Sequence, residues 1–214
     1  MATKAKTKRD TAKRSSLKQQ RTSSRSARFS RREAALLADV SLRSVDKAIE
    51  EKVIKPDRSP RQGPALDSGD VLAIALIARA GLPLHAQTKR KINQWVHGVV
   101  SEDTANEVKE LLLSEVLVLR YDDDARELAN RLYGYLQDRE RFIESNPSVM
   151  GGEPVISGTR IPARAVAVRI DGGESIANLR EDYPEVPQEA FEAALTYAQA
   201  HPRRGRPARP WRDA

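Results

Sequence analysis

Gly151-Gly152-Glu153-Pro154-Val155-Ile156-Ser157-Gly158-Thr159-Arg160-Ile161-Pro162 is the most constrained stretch of the chain. Three glycines and two prolines surround a single apolar pair, Val155-Ile156. Glycine opens backbone angles closed to other residues, and proline fixes φ and removes a donor. The stretch therefore reads as a turn, a very short extended piece and a second turn leading into a helix. The stiff apolar pieces Val155-Ile156 and Arg160-Ile161-Pro162 argue against a linker. No G-x-x-x-x-G-K-[ST] or G-x-G-x-x-G pattern is present, which argues against a phosphate-cradling loop.

Downstream of this stretch the spacing predicts helices over Ile161–Ile170, Ser175–Tyr183 and Gln188–Ala200, the last burying Phe191, Leu195 and Ala198. Asp171-Gly172-Gly173 and Pro184-Glu185-Val186-Pro187 punctuate them. The run from Asn146-Pro147 through Pro162, with Asp171-Gly172-Gly173-Glu174-Ser175-Ile176, Tyr183-Pro184 and Ala190 to Ala198, resembles the domain-of-unknown-function family 433. Members of that family are similar to VapB-type antitoxins of toxin–antitoxin pairs. The resemblance implies a trihelical, homeodomain-like unit over 146–200. The last helix carries Glu189 and Glu192 and no basic residue, which favours packing or dimerisation over DNA contact.

Charge is distributed unevenly along the 214 residues. Residues 1–29 hold ten basic residues against Asp10, a net of +9, and residues 201–214 hold five arginines against Asp213, a net of +4. With a total of +7 the middle carries −6. Two basic arms on an acidic body suit polyanions or acidic partners, and both termini, 1–28 and 201–214, read as disordered. The absence of cysteine fits a reducing compartment and excludes a thiolate metal site or Cys nucleophile. No apolar run reaches the ~20 residues of a membrane span. The expected location is cytoplasmic and nucleoid-associated.

Folded structure is expected from Phe29-Ser30, where Ser30 and Glu33 form a capping box and Phe29 staples back onto the helix. A short helix Arg31–Ala38, a turn at Asp39-Val40-Ser41 and a second helix from Leu42 to about Lys52, capped by Ser41, make a helix-turn-helix. The segment from Phe29 to Pro56 resembles the N-terminal unit of MerR-like winged-helix regulators. The resemblance implies that Arg43, Ser44 and Lys47, with Ser41 at the cap, face operator DNA, and that Arg31 and Arg32 lie near phosphates. It also implies a wing at 55–64 whose contacts are Arg58 and Arg61. Asp46, Glu50 and Glu51 share the second helix and would repel phosphates.

The rest of the front unit, 29–113, reads as helices: Val71–Ala80, Leu82-Pro83 to about His97 before Gly98, and about Glu102 to Leu113. His85 and His97 have no carboxylate or thiol at ligand spacing and read as surface or packing histidines. Residues 114–145 form an expected strand–helix–strand connector. It comprises a strand Ser114–Tyr121, a helix from Ala125 to about Arg139 capped by Asp122-Asp123-Asp124, and a strand at Arg141–Ser145 that could pair with the first. This connector is a candidate dimerisation element.

The tail His201–Arg212 joins Arg203, Arg204, Arg206 and Arg209 to Trp211 between prolines that forbid a helix. Arginine and tryptophan are residue types that anchor interfaces. In the VapB-like picture this tail binds a PIN-like ribonuclease toxin, its guanidinium groups pairing with the carboxylates that hold Mg²⁺ there. The expectation is a mainly α protein: a MerR-like winged helix-turn-helix, a strand–helix–strand joint, and a trihelical unit with basic ends. It would act as a homodimeric antitoxin that represses its own operon and neutralises a PIN-like toxin, without cofactor, metal or enzymatic activity. A stand-alone MerR-like regulator is the alternative. An enzyme using Glu153 or Asp122–Asp124 lacks a nucleophile–base pair.

Overall fold

The computed structural model describes residues 28–59, 63–102 and 108–202. Among the described residues the first element is β1 (Phe29–Ser30), which runs directly into α1 (Arg31–Leu37). The capping box forms on both sides: Ser30 Oγ accepts from the Glu33 amide at 3.2 Å, and Glu33 Oε2 accepts from the Ser30 amide at 2.7 Å. A tight turn with Asp39 at φ 53° reverses the chain. Ser41 then caps α2 (Leu42–Glu50), its hydroxyl accepting from the Ser44 amide at 3.1 Å. The apolar side of α2, at Val45 and Ala48, is buried. The hairpin β2 (Asp57–Ser59) and β3 (Gly63–Leu66) follows and builds an antiparallel sheet in the order β1–β3–β2. Arg28 ties this sheet together through Asp57 at 2.8 Å and Asp67 at 3.1 Å.

Helix α3 (Ser68–Arg79) is buried without interruption from Gly69 to Leu76. A helix apolar on all sides needs neighbours on all sides, and α2, α4 (Ala86–Glu102) and α5 (Asp123–Phe142) supply them. α4 does not stop at the expected Gly98. One helical glycine costs about 1 kcal/mol, which burial of Val99 beside it offsets.

The expected helix from Glu102 to Leu113 is corrected by the structure. Lys109–Ser114 is a strand, β4, paired antiparallel with β5 (Leu117–Tyr121) around the turn Glu115-Val116. Lys-Glu-Leu-Leu-Leu are helix formers by local propensity. Here Leu111 and Leu113 point inward in alternation and pack on the front core, so tertiary pairing overrides propensity. The expected limit between front unit and connector, at 113/114, falls inside this hairpin.

Asp122 caps α5, its carboxylate accepting from the Ala125 amide at 3.1 Å. The strand after α5, β6 (Ile143–Glu144), does not pair with β5 as expected. It pairs with β7 (Val155–Ile156). The reason is length: the 20 residues of α5 carry the chain about 30 Å from β5. A single 3₁₀ turn, Met150–Gly152, lies between β6 and β7.

Helices α6 (Ala163–Asp171), α7 (Ile176–Asp182) and α8 (Gln188–Ala200) close a second core around Ile156, Val166, Leu179, Val186 and Phe191. α8 touches α6 and α7, and also α5 and α1. The last helix among the described residues therefore joins the first of them. The protein is mainly helical with small sheets, and among the described residues no helix is long and apolar enough to cross a membrane.

Candidate nucleic-acid interface

The outward side of α2 is polar because its inward side is spent on the core. Ser41, Arg43, Ser44 and Lys47 are all exposed, as are Arg31 and Arg32 on α1. Arg43 and Lys47 are four residues apart and so lie on one stripe. Ser41 Oγ and Ser44 Oγ are 2.8 Å apart, which fixes the first turn of the helix.

Of the three carboxylates on α2 and its C-cap, Asp46 and Glu51 are held in ion pairs, and Glu50 is exposed. Arg31 reaches across the turn to Asp46 at 2.5 Å, and Glu51 takes Lys89 from α4 at 2.8 Å and Lys47 at 3.7 Å. The Lys89 pair holds the Glu51 carboxyl below its usual range. Arg90 donates to the Glu51 carbonyl and Asn93 to that of Val53, so α4 grips the C-terminal end of α2. The face thus presents Arg32, Arg43, Ser44 and Lys47 on a clamped helix, and β3 of the hairpin packs on α1.

A buried charge cluster fixes α1 to the rest of the molecule. Glu33 is 1% exposed. Its Oε1 accepts from the Tyr135 hydroxyl at 2.7 Å and from Arg139 at 2.6 Å, while Arg139 also donates to the Arg28 carbonyl at 2.9 Å. Phe29 stacks on Tyr135. Burial alone would raise the Glu33 carboxyl, but Arg139 and the Ser30 amide outweigh it and hold it below its usual value. Burial and the Glu33 charge push the Tyr135 phenol up.

The Gly151–Pro162 stretch is structural. Gly151, Gly152 and Gly158 take φ of 67°, 84° and 74°, which a side chain resists. The Thr159 hydroxyl donates to the Ile156 carbonyl at 2.8 Å and accepts from the Ile161 amide at 3.0 Å, closing the turn before α6. Glu153 pairs with Arg164, and both line a cleft of about 390 Å³ with Tyr197 and His201. Among Asp122–Asp124, Asp122 caps α5, Asp124 holds Arg79 at 2.5 Å, and Asp123 holds Arg126.

Sequence spacing missed one cluster. His97 Nε2 lies 3.3 Å from Asp70 and 3.8 Å from Asp67, the two residues of the α3 capping box. The hydrogen bond to Asp70 raises the imidazole above its usual value, against burial and with Arg28 opposing. These groups sit within ligand reach of one another, but the arrangement is a helix cap closed by a histidine and an arginine. The contacts span α3 and α4, so no local spacing could reveal them.

The Arg58 side chain and Arg61, Arg203, Arg204, Arg206, Arg209 and Trp211 lie outside the described residues, as does the arm 1–27.

Residues 143–198 match the family described as Protein of unknown function (DUF433), the unit built by β6, β7 and helices α6 to α8. A structure from Mycobacterium tuberculosis, Rv2018, is 11% identical and covers 79% of this chain and 97% of its own, with a TM-score of 0.36. The protein y4eO of Sinorhizobium fredii is 30% identical over 186 residues, 81% of either chain. That identity over that length places the chain in the family of y4eO, with a DUF433 unit at residues 143–198.

Proposed function

We propose that this protein is an antitoxin-type regulator: a homodimer that binds its own operator through the front unit and silences a PIN-like ribonuclease through its C-terminal region. In this reading α1, α2 and the β2–β3 hairpin act as a winged helix-turn-helix similar to that of MerR-like regulators. Arg43, Ser44 and Lys47 enter the major groove, and Arg31 and Arg32 lie near phosphates. The observation that supports it most is the α2 face. Its outward stripe is basic and polar, and the acidic residues Asp46 and Glu51 are already occupied by Arg31, Lys89 and Lys47.

The antitoxin half of the reading rests on the likeness of the DUF433 unit to VapB-type antitoxins and on the tail arginines with Trp211. The setting would be the cytoplasm, on the nucleoid. No catalytic role is assigned, since Glu153 and Asp122–Asp124 serve in ion pairs and a helix cap.

One observation favours a stand-alone regulator. α8 spends its faces on α1, α5, α6 and α7, so the DUF433 unit serves the front unit as a scaffold. Co-expression with the adjacent gene product separates the readings. The antitoxin reading expects the full chain to capture a small acidic partner and a chain ending at Ala200 to lose it. Retardation of the promoter fragment with no captured partner supports the stand-alone regulator, and absence of both sinks the DNA-binding reading as well.

A further inference from the structure

The β4–β5 ribbon has an inner side that packs on α4 and α5 and an outer side that nothing among the described residues covers. Alternation sets what each side carries. Leu111, Leu113 and Leu119 pack against the front core. The outer side carries Leu112, 60% exposed, opposite Val118, 41% exposed, with Val116 at the tip, 94% exposed. One rung further from the tip, Glu110 lies opposite Arg120 and is paired with it at 2.8 Å. Val108 precedes the strand and is also exposed. Both strands are edges of a two-stranded sheet, and Lys91 from α4 donates to the Leu112 carbonyl of β4.

We infer that this outer face is the homodimer interface, occupied by the same ribbon of a second copy. The inference deepens the homodimer part of the reading above and is independent of whether DNA or a toxin is bound. Its argument is self-complementarity, which a two-fold interface requires. A two-fold axis running along the ribbon between its strands lays β4 of one copy over β5 of the other. Residues at one height then exchange strands. Glu110 faces the partner's Arg120, and Leu112 faces the partner's Val118. Both charged rungs thereby join in a four-membered network of alternating sign, and the apolar rungs cover one another. A two-fold axis across the strands would instead set Glu110 and Arg120 over the Val116 tip, charge against apolar surface. The rung order selects the first arrangement. A ribbon of two short strands is expected to bury less than the roughly 800 Å² per partner of a standard interface, so the dimer should depend on concentration.

Sedimentation across a concentration series, with helical content checked by circular dichroism, tests the inference. Glu110→Arg places Arg against Arg across the axis, and Arg120→Glu places Glu against Glu. Each alone is expected to weaken self-association about tenfold or more. Mixed one to one, the two variants restore the unlike pairing and should form a heterodimer with an affinity close to that of the wild type. Leu112→Glu should abolish association and is not rescued by either. A wild-type monomer at all concentrations overturns both this inference and the homodimer reading. A wild-type dimer that survives Glu110→Arg and Leu112→Glu, or variants that fail to rescue each other while folded, overturns this interface and leaves the homodimer reading standing.

Discussion

Glu33 is the residue on which most depends. It sits on the first helix, yet its partners Tyr135 and Arg139 lie 102 and 106 residues away. Removing one member of a buried pair leaves the other charge without compensation, at about 3–5 kcal/mol. Glu33→Ala should therefore lower the stability to urea by roughly that amount. Tyr135→Phe, which removes one hydrogen bond and keeps the Phe29 stack, should cost about 1–2 kcal/mol. If both variants unfolded at the wild-type denaturant concentration, the cluster would have no role in stability. Because the folded Glu33 carboxyl is held below its usual value, its contribution is present above the unfolded pKa of about 4.3 and is lost as pH falls through the folded value.

His97 gives the opposite dependence. Its folded value is raised, so its contribution is complete below the unfolded value of about 6.5 and fades as pH rises through the folded one. Melting temperatures between about pH 5.5 and 8 should show this fall in the wild type and a flatter profile in His97→Gln. A Cβ at Gly69 would come within 2.7 Å of the His97 ring. Gly69→Ala should therefore displace the imidazole from Asp70 and flatten the same profile.

At the scale of elements, α2 is where DNA binding can be dissected. Arg43→Ala and Lys47→Ala, in the major groove, should each cost about 1–3 kcal/mol of promoter affinity, and Arg32→Ala, near a phosphate, should reduce the slope of log affinity against log salt by about one. Asp46→Asn releases Arg31 from its ion pair and should strengthen binding to promoter and unrelated DNA alike. A titration in which neither the slope nor the affinity moves would remove α2 from the interface.

The elements also show where the sequence could be read and where it could not. The caps at Ser30, Glu33, Ser41 and Asp122 were legible because a capping pattern is local, spanning three or four residues. So were the turns of the Gly151–Pro162 stretch and the three helices after it. β4 was not legible, because Leu111 to Leu113 suit either a helix or a strand, and only the pairing with β5 decides. β6 was legible as a strand, but its partner depended on the length of α5. On the α2 face, the outward cations came from the resemblance to MerR-like regulators, while the neutralisation of Glu51 by Lys89 needed α4 in place.

At the scale of the whole molecule, the front unit and the DUF433 unit are not independent beads. α8 packs on α1, and Arg139 near the end of α5 completes the capping cluster of α1. A fragment ending at Ser145 would uncover the α1 and α5 surfaces that α8 shields. It should melt at a lower temperature than the full chain and bind a hydrophobic dye before doing so. Cooperative melting of that fragment at the full-chain temperature would show that the two units stand alone.

The 106-residue separation between Glu33 and Arg139 has a consequence in time. A ribosome adds about 5–20 residues per second, so roughly 5–20 seconds pass between the synthesis of α1 and the arrival of its counter-charge. Through that interval Glu33 can stay in water or bury an unpaired carboxylate, and water is the cheaper choice. Helix α1, though made early, is thus among the last to be locked. The described part of the chain is expected to mature from its middle outward, with α1 locked only when α8 closes over it.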